Sequence, residues 1–287
     1  MTSVAAALLN SLDIGLLLFI IASGLTIIFG VLGILNFAHG ALYMVGAYLA
    51  FTVVRILNLP FWISILVVPL AVAAFAILLE QLMLRWIYDR HPTFGLLLTF
   101  ALLLILDDAV RLIWGAGYQI VDPPEALKGT FTLLGATYPV YSLFVIFSGV
   151  VIGLTVWLLF TRTRIGKAVR AAAIDREMAA AIGIDVARVF TIVFAFGALL
   201  AGLAGVLAAP MRALGPSMGD RIIIESFIVV VIGGLGSFPG ALVGALILGF
   251  LHGFGGRWLP EFDIVFPYVG MALVLLLRPQ GLLGRSK

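Results

Sequence analysis

Apolar runs long enough to cross a lipid bilayer follow one another along nearly the whole chain. A helix that spans the hydrocarbon core needs about 20 mostly apolar residues. Runs of this kind occupy residues 9–30, 41–57, 61–84, 94–114, 138–160, 189–208 and 263–277. Between the last two lies "RIIIESFIVVVIGGLGSFPGALVGALILGFLHGFG", too long for one crossing, and the glycines from Gly233 to Gly240 divide it into two short apolar arms. Hydrophobic residues make up 63% of the chain and charged residues 11%, against about 45–50% and 25% in soluble domains. No water-soluble core hides that much apolar surface, so the solvent is lipid. Lipid-exposed backbone must satisfy its hydrogen bonds internally, which selects helices, and no alternating strand pattern competes. The reading is all-α: one polytopic transmembrane helical bundle over residues 1–287, with about eight spans, two of them glycine-broken.

Composition also closes off several functions. Cysteine is absent, which removes disulfides, thiol nucleophiles and thiolate metal sites. His39, His91 and His252 are scattered without metal-ligand spacing, so no metal site is expected. The net charge of +3 reads as loop asymmetry and not as a nucleic-acid footprint. No Lys or Arg precedes Arg55, so the start lacks the basic region of a cleaved signal peptide and the first span is expected to be retained.

Basic residues near span ends set orientation. With 161–188 placed in the cytoplasm, Arg85, Arg90, Arg162, Arg164, Lys167, Arg170, Arg176, Arg188, Arg278, Arg285 and Lys287 lie inside, 11 of the 17 basic residues. Arg55, Arg111, Lys128, Arg212, Arg221 and Arg257 then fall outside. This puts the N-terminus outside and the C-terminus inside; a re-entrant arm at either glycine break changes the parity. The segment 115–137 becomes the long external loop. The segment 161–188, alanine-rich with interspersed charge, reads as helix on the inside.

Three constellations carry chemistry. In "RAAAIDREMAAAIGI", Ala172, Ile174, Met178, Ala181 and Ile182 suit one apolar face of a single short helix, interrupted by Asp175, Arg176 and Glu177 and ended by Gly183. Such a helix either presents a small-residue knob to a cytoplasmic partner or lies on the membrane with snorkelling arginines. Arg111 stands at i+4 and i+3 from Asp107 and Asp108, on one helix face. Charge inside a span points to function by default, but the external position and internal pairing favour a structural or docking role over a proton relay. Glu225 and Ser226 head a short apolar arm and invite the same reading. In the third, "GVLGILNFAHGALYMVGAY" sets Asn36, His39 and Tyr43 among Gly30, Gly33, Gly40 and Gly46. A similar pattern recurs downstream, Gly233 to Gly236 leading to Gly240 and Gly244. Interrupted apolar segments at corresponding places in two halves point to internal symmetry and a transport path; close packing through small residues is the alternative.

The blocks "GLTIIFGVLGILNFAHGALYMVGAY", "RTRIGKAVRAAAIDREMAAAIGI" and "VVVIGGLGSFPGALVGA" together resemble the permease of bacterial branched-chain amino-acid ABC importers, the smaller of its two paralogous membrane subunits, over essentially the whole chain. The resemblance implies an inner-membrane uptake system with a second homologous permease, two cytoplasmic ATP-binding subunits and a periplasmic solute-binding protein. The chain has no G-x-x-x-x-G-K-[ST] phosphate loop, so ATP and magnesium belong to the partners and this subunit is not the enzyme. Branched-chain amino acids are the default substrate, while relatives serve urea, short amides and aromatic or organic acids. A stand-alone secondary transporter needs a midplane carboxylate and a channel needs a filter motif; neither is evident.

Site expectations follow. Asp175, Arg176, Glu177, Ala180, Ala181 and Gly183 resemble the coupling helix that sits in an ATPase cleft. Asp107, Asp108, Arg111, Asp122 and Glu125 are expected to help receive the binding protein. Gly33, Asn36, His39, Gly40 and Tyr43, with Gly233, Gly236 and Ser237, are expected to flank the translocation pathway as hinge or gate. Asn36 is expected to satisfy the broken turn near Gly33, His39 to hold a neighbouring carbonyl or line a cavity, and Gly40 and Gly46 to admit another helix.

Overall fold

The computed structural model describes residues 2–88, 90–133, 136–258 and 260–284. The expected inside charges Arg285 and Lys287, and residues 134–135 of the long loop, lie outside the described residues. The chain is a helical bundle built around α1 (Thr2–Leu32), a 31-residue helix that is apolar on all sides. A helix without a polar face needs protein around it, and Leu17, Ile20, Ile21 and Leu25 are fully buried. α10 (Phe238–Trp258) packs along it, with α5 (Val140–Arg162) and α8 (Val186–Ala208) on other sides. α2 (Ala38–Phe51, prolonged by a wider turn over Thr52–Ile56) and α3 (Phe61–Leu82) lie against α8. α4 (Pro92–Trp114) flanks α2. Among the described residues, six helices are long and apolar enough to cross a membrane: α1, α2 with its extension, α3, α5, α8 and α10. Exposed Leu66, Phe147, Leu112 and Leu276 give the bundle the apolar exterior that lipid requires.

The bundle has two distinguishable ends. At the basic end, α6 (Arg164–Ile174) and α7 (Arg176–Ala181) join α5 to α8. Asp175 divides them: its carboxylate accepts from Met178 N–H at 2.9 Å and caps α7. The single helix expected here is therefore two, because an aspartate supplies the N-cap that restarts a helix. Gly183, at φ +88°, ends α7 as expected, and Ile184 N–H bonds back to Ala179 O at 3.0 Å; a left-handed glycine is the ordinary stop. At the opposite end, β1 (Thr130–Leu133) pairs antiparallel with β2 (Ala136–Pro139). The bundle is all-α as expected, and this hairpin is a local feature of the long loop: Thr130, Phe131 and Thr132 alternate polar and apolar, but over too few residues to stand out. A correction concerns 263–277. Only Phe266–Leu277 is helical, as α11. Twelve residues rise about 18 Å, short of the roughly 30 Å a crossing needs.

Helix pairings repeat with inverted direction. α1 lies on α10 as α8 lies on α3. α1 meets α8 where Gly24 faces Gly197, and α2 meets α9 (Met218–Gly233) where Gly40 faces Gly219. The unit α1–α2–α3 is thus repeated as α8–α9–α10, a long helix, an interruption, a shorter helix and a third helix. Inverted repeats of this kind are a transporter architecture. The expected pairing of 30–46 with 233–244 is not found: in this contact pattern the counterpart of the 33–37 break is 209–217, between α8 and α9. Gly233–Gly240 is instead the tight turn between α9 and α10, with Gly234 and Gly236 at positive φ and the Gly233 and Gly240 backbones in direct contact.

Candidate functional site

The first interruption begins where Gly33, at φ +68°, stops α1. Its exposed backbone groups are held from α4: Thr99 Oγ1 donates to Leu35 O at 3.1 Å and accepts from Phe37 N–H at 3.2 Å. This corrects the role expected of Asn36, whose side-chain atoms are buried and make no hydrogen bond to any described residue. A threonine 62 residues away does that work because its hydroxyl both donates and accepts within one helix turn of the break. His39 does hold a carbonyl, Nε2 donating to Ile21 O at 3.0 Å, and Gly40 and Gly46 do admit neighbours, Gly219 and Gly202. Asn36, His39 and Tyr43 are nevertheless sealed from solvent, and none lines the open cavity described below. They sit at and just after the break, not on an open wall.

The α6–α7 segment reaches this break directly. Arg176, the first residue of α7, donates to Leu32 O at 2.7 Å and Val31 O at 3.4 Å, while its guanidinium stacks 4.8 Å over the Phe190 ring of α8. A cation at the carbonyl end of a helix is favourably placed. Of the other residues named for coupling, Glu177, Ala180, Ala181 and Gly183 are exposed. Ile174, Met178 and Ile182 project into solvent at 77%, 61% and 68% exposure, although Ala172, expected on the same face, is buried. On the other side of α1, Gly30 touches Gly236 of the α9–α10 turn, where Ser237 Oγ accepts from Gly240 N–H at 3.1 Å and caps α10. Deeper at this end, Glu80 of α3 is buried and accepts from Tyr88 Oη at 3.0 Å and Thr191 Oγ1 at 2.8 Å.

The second interruption, 209–217, is held by charge. Ser217 adopts φ +65°. Asp107 accepts from its N–H and hydroxyl, and Arg111 donates to its hydroxyl at 2.9 Å and pairs with Asp107 at 2.6 Å. Asp107 is buried and fully engaged, so it braces α9 and is not offered for docking. Asp108 and Arg111 are exposed, as are Asp122, paired with Arg55 at 3.1 Å, and Glu125, paired with Lys128. Gln119 and Leu214 exchange backbone hydrogen bonds of 2.9 and 2.8 Å, tying the long loop to this interruption. Beside it opens a cavity of about 610 Å³ at the hairpin end, bearing Arg212, Arg221, Glu225, His252, Arg257 and Asp263. Of these the sequence marks Glu225 as a candidate site residue, while Arg212, Arg221 and Arg257 serve there as orientation signals. Nearby, Asp13 of α1 is buried with Oδ1 unpartnered among described residues, a turn from cavity-lining Asn10. It is an intramembrane carboxylate that its surrounding apolar run concealed.

A family model described as "Branched-chain amino acid transport system / permease component" matches residues 7–277. The chain belongs to this family. Over 297 residues it is 32% identical to the high-affinity branched-chain amino acid transport system permease protein BraD of Pseudomonas aeruginosa, covering 98% of this chain and 95% of that one. To the corresponding protein LivH of Salmonella typhimurium it is 28% identical, covering 97% and 94%. The solved structure "PsaBC from Streptococcus pneumoniae in complex with Fab" contains a chain of similar fold, with TM-score 0.51 and 16% identity over 94% of this chain and 91% of that chain. The permease is thus a multi-pass membrane component. Its two interruptions, α7 and the cavity at the hairpin end are the features a transport cycle has to work with.

Proposed function

We propose that this permease forms half of the translocation path of an ATP-driven importer, beside a second homologous permease, two cytoplasmic ATP-binding subunits and a periplasmic solute-binding protein. The basic end faces the cytoplasm and the hairpin end the periplasm, so the N-terminus is outside and the C-terminus inside. ATP and magnesium are held by the partners. The cargo is an amino acid, branched-chain by likeness to the relatives. The carrying observation is the bond from Arg176 to the carbonyls of Val31 and Leu32. One residue belongs both to the exposed α7 knob and to the end of the helix that precedes the 33–37 hinge. Ile174, Met178 and Ile182, with Ala180 and Ala181, offer an ATP-binding subunit an apolar, small-residue surface. Movement of that subunit then pulls on α1 at Gly33, and Asn36–Tyr43 and the Gly233–Ser237 turn shift as hinge elements.

The test is assembly and transport. Co-expressed with its neighbouring subunits, the permease should copurify with ATP-binding subunits, and the reconstituted complex should take up amino acid only with ATP and binding protein. Ala181→Lys should prevent assembly or separate hydrolysis from uptake. Uptake by this chain alone, or wild-type uptake in the Ala181→Lys complex, would contradict the reading.

A further inference from the structure

The outer cavity is continuous in its lining with a smaller apolar pocket of about 220 Å³. Arg221, Glu225 and His252 line both; the remaining walls of the small pocket are Ile224, Ile228, Ile264, Pro267 and Tyr268. We propose that the two form one binding site on this chain for a free amino acid, its zwitterionic head in the charged cavity and its apolar side chain in the adjoining pocket. This rests on the importer reading and adds the residues and the selection rule.

The charges are arranged for such a head group. Glu225 is paired with Arg221 at 3.1 Å and Asp263 with His252 at 3.0 Å, whereas Arg212 and Arg257 pair with no acid among the described residues. Two guanidiniums with free donors in one cavity bind a carboxylate, for which the planar fork of arginine is suited. His252 supplies the second half. A carboxylate oxygen only accepts, so the 3.0 Å contact to Asp263 fixes the proton on Nδ1. In the neutral ring Nε2 is then an acceptor; it is buried and has no partner among described residues. Nε2 and the Glu225 carboxylate then receive an ammonium group at the seam of the two pockets. Beyond that seam, where Arg221, Glu225 and His252 form one wall, the side chain meets Ile224, Ile228, Ile264, Pro267 and Tyr268, a lining that favours an apolar side chain. Urea and short amides have no carboxylate for Arg212 and Arg257, and the site disfavours them.

The experiment uses the complete importer with its binding protein in proteoliposomes, with radiolabelled leucine and alanine. If the wild-type complex transports no amino acid, the importer reading fails, independently of the site. In a working complex, the double variant Arg212→Gln/Arg257→Gln should cut leucine uptake about tenfold or more, the scale of a lost charge-assisted hydrogen bond, and Arg212→Lys/Arg257→Lys, which keeps the charge but not the fork, should restore part of it. Ile264→Trp, which narrows the apolar pocket at its rim, should depress leucine uptake and spare alanine. Wild-type uptake in the double glutamine variant, failure of the lysines to rescue, or an Ile264→Trp complex that slows both substrates equally would overturn the proposal.

Discussion

The two interruptions related by the inverted repeat occupy equivalent places and are built from opposite materials. The 33–37 break, buried at Ile34 and Asn36, is held by one threonine hydroxyl from α4 and tied to α7 by Arg176 at the end of α1. The 209–217 break is held by an ion pair and a reciprocal backbone bridge, and it places Arg212 in an open cavity. Any interruption inside a bilayer frees backbone groups that lipid cannot satisfy. What pairs with them depends on where water reaches. Away from water, a small neutral hydroxyl does so at little desolvation cost; beside an aqueous cavity, charges are tolerable and bind as well as brace. One architectural device is thus braced by a hydroxyl at one end and by charge beside a cavity at the other.

The sharpest way to break that contrast is to remove each brace. Asp107→Ala leaves Arg111 and the Ser217 N–H without their partner, and should cost about 3 kcal/mol, read as a lower melting temperature of the detergent-purified complex. Thr99→Val removes two neutral hydrogen bonds at nearly constant volume and should cost about 1–2 kcal/mol. If Thr99→Val proved the more damaging, the charge-held and hydroxyl-held breaks would not differ as described. Arg176→Ala should change stability by only about 1 kcal/mol, yet it should lower the amount of substrate moved per ATP hydrolysed; an unchanged ratio would remove Arg176 from the coupling path. The smallest effect belongs to the loop. Asp122 and Glu125 are exposed and already paired, and such surface pairs are worth about 0–1 kcal/mol. Neutralising both should slow binding-protein-stimulated hydrolysis modestly at low salt and not at high salt. No change at low salt would leave the loop without that docking role.

These features differ in how far the sequence discloses them. The first break is legible because Gly33 and Asn36 interrupt an apolar run locally. Its brace is not, since Thr99 looks like any threonine in a span until α4 is laid beside the break. The Gly-x-Leu-Gly resemblance between 30–33 and 233–236 points to symmetry but pairs the wrong segments. The true counterpart, "APMRALGPS", shares no pattern with "GILNF" because charge and hydroxyl are different solutions to the same backbone problem. Asp175 carries a cap signal in plain view, an aspartate before Arg-Glu-Met, but the alanines around it suggest unbroken helix. The outer cavity is least legible: Arg212, Arg221, His252 and Asp263 come from separate segments with no common spacing, and only the fold gathers them.

The central claim is that α7 moves the 33–37 hinge through Arg176. The chain contains no cysteine, so a single cysteine at Asn36, 1% exposed here, reports that hinge alone. Its rate of reaction with a water-soluble thiol reagent is measured in the complete importer, nucleotide-free and ATP-trapped. Transmission through Arg176 predicts different rates in the two states, and loss of the difference when Arg176→Ala is added. Equal rates in both states, or a difference that survives Arg176→Ala, would contradict it.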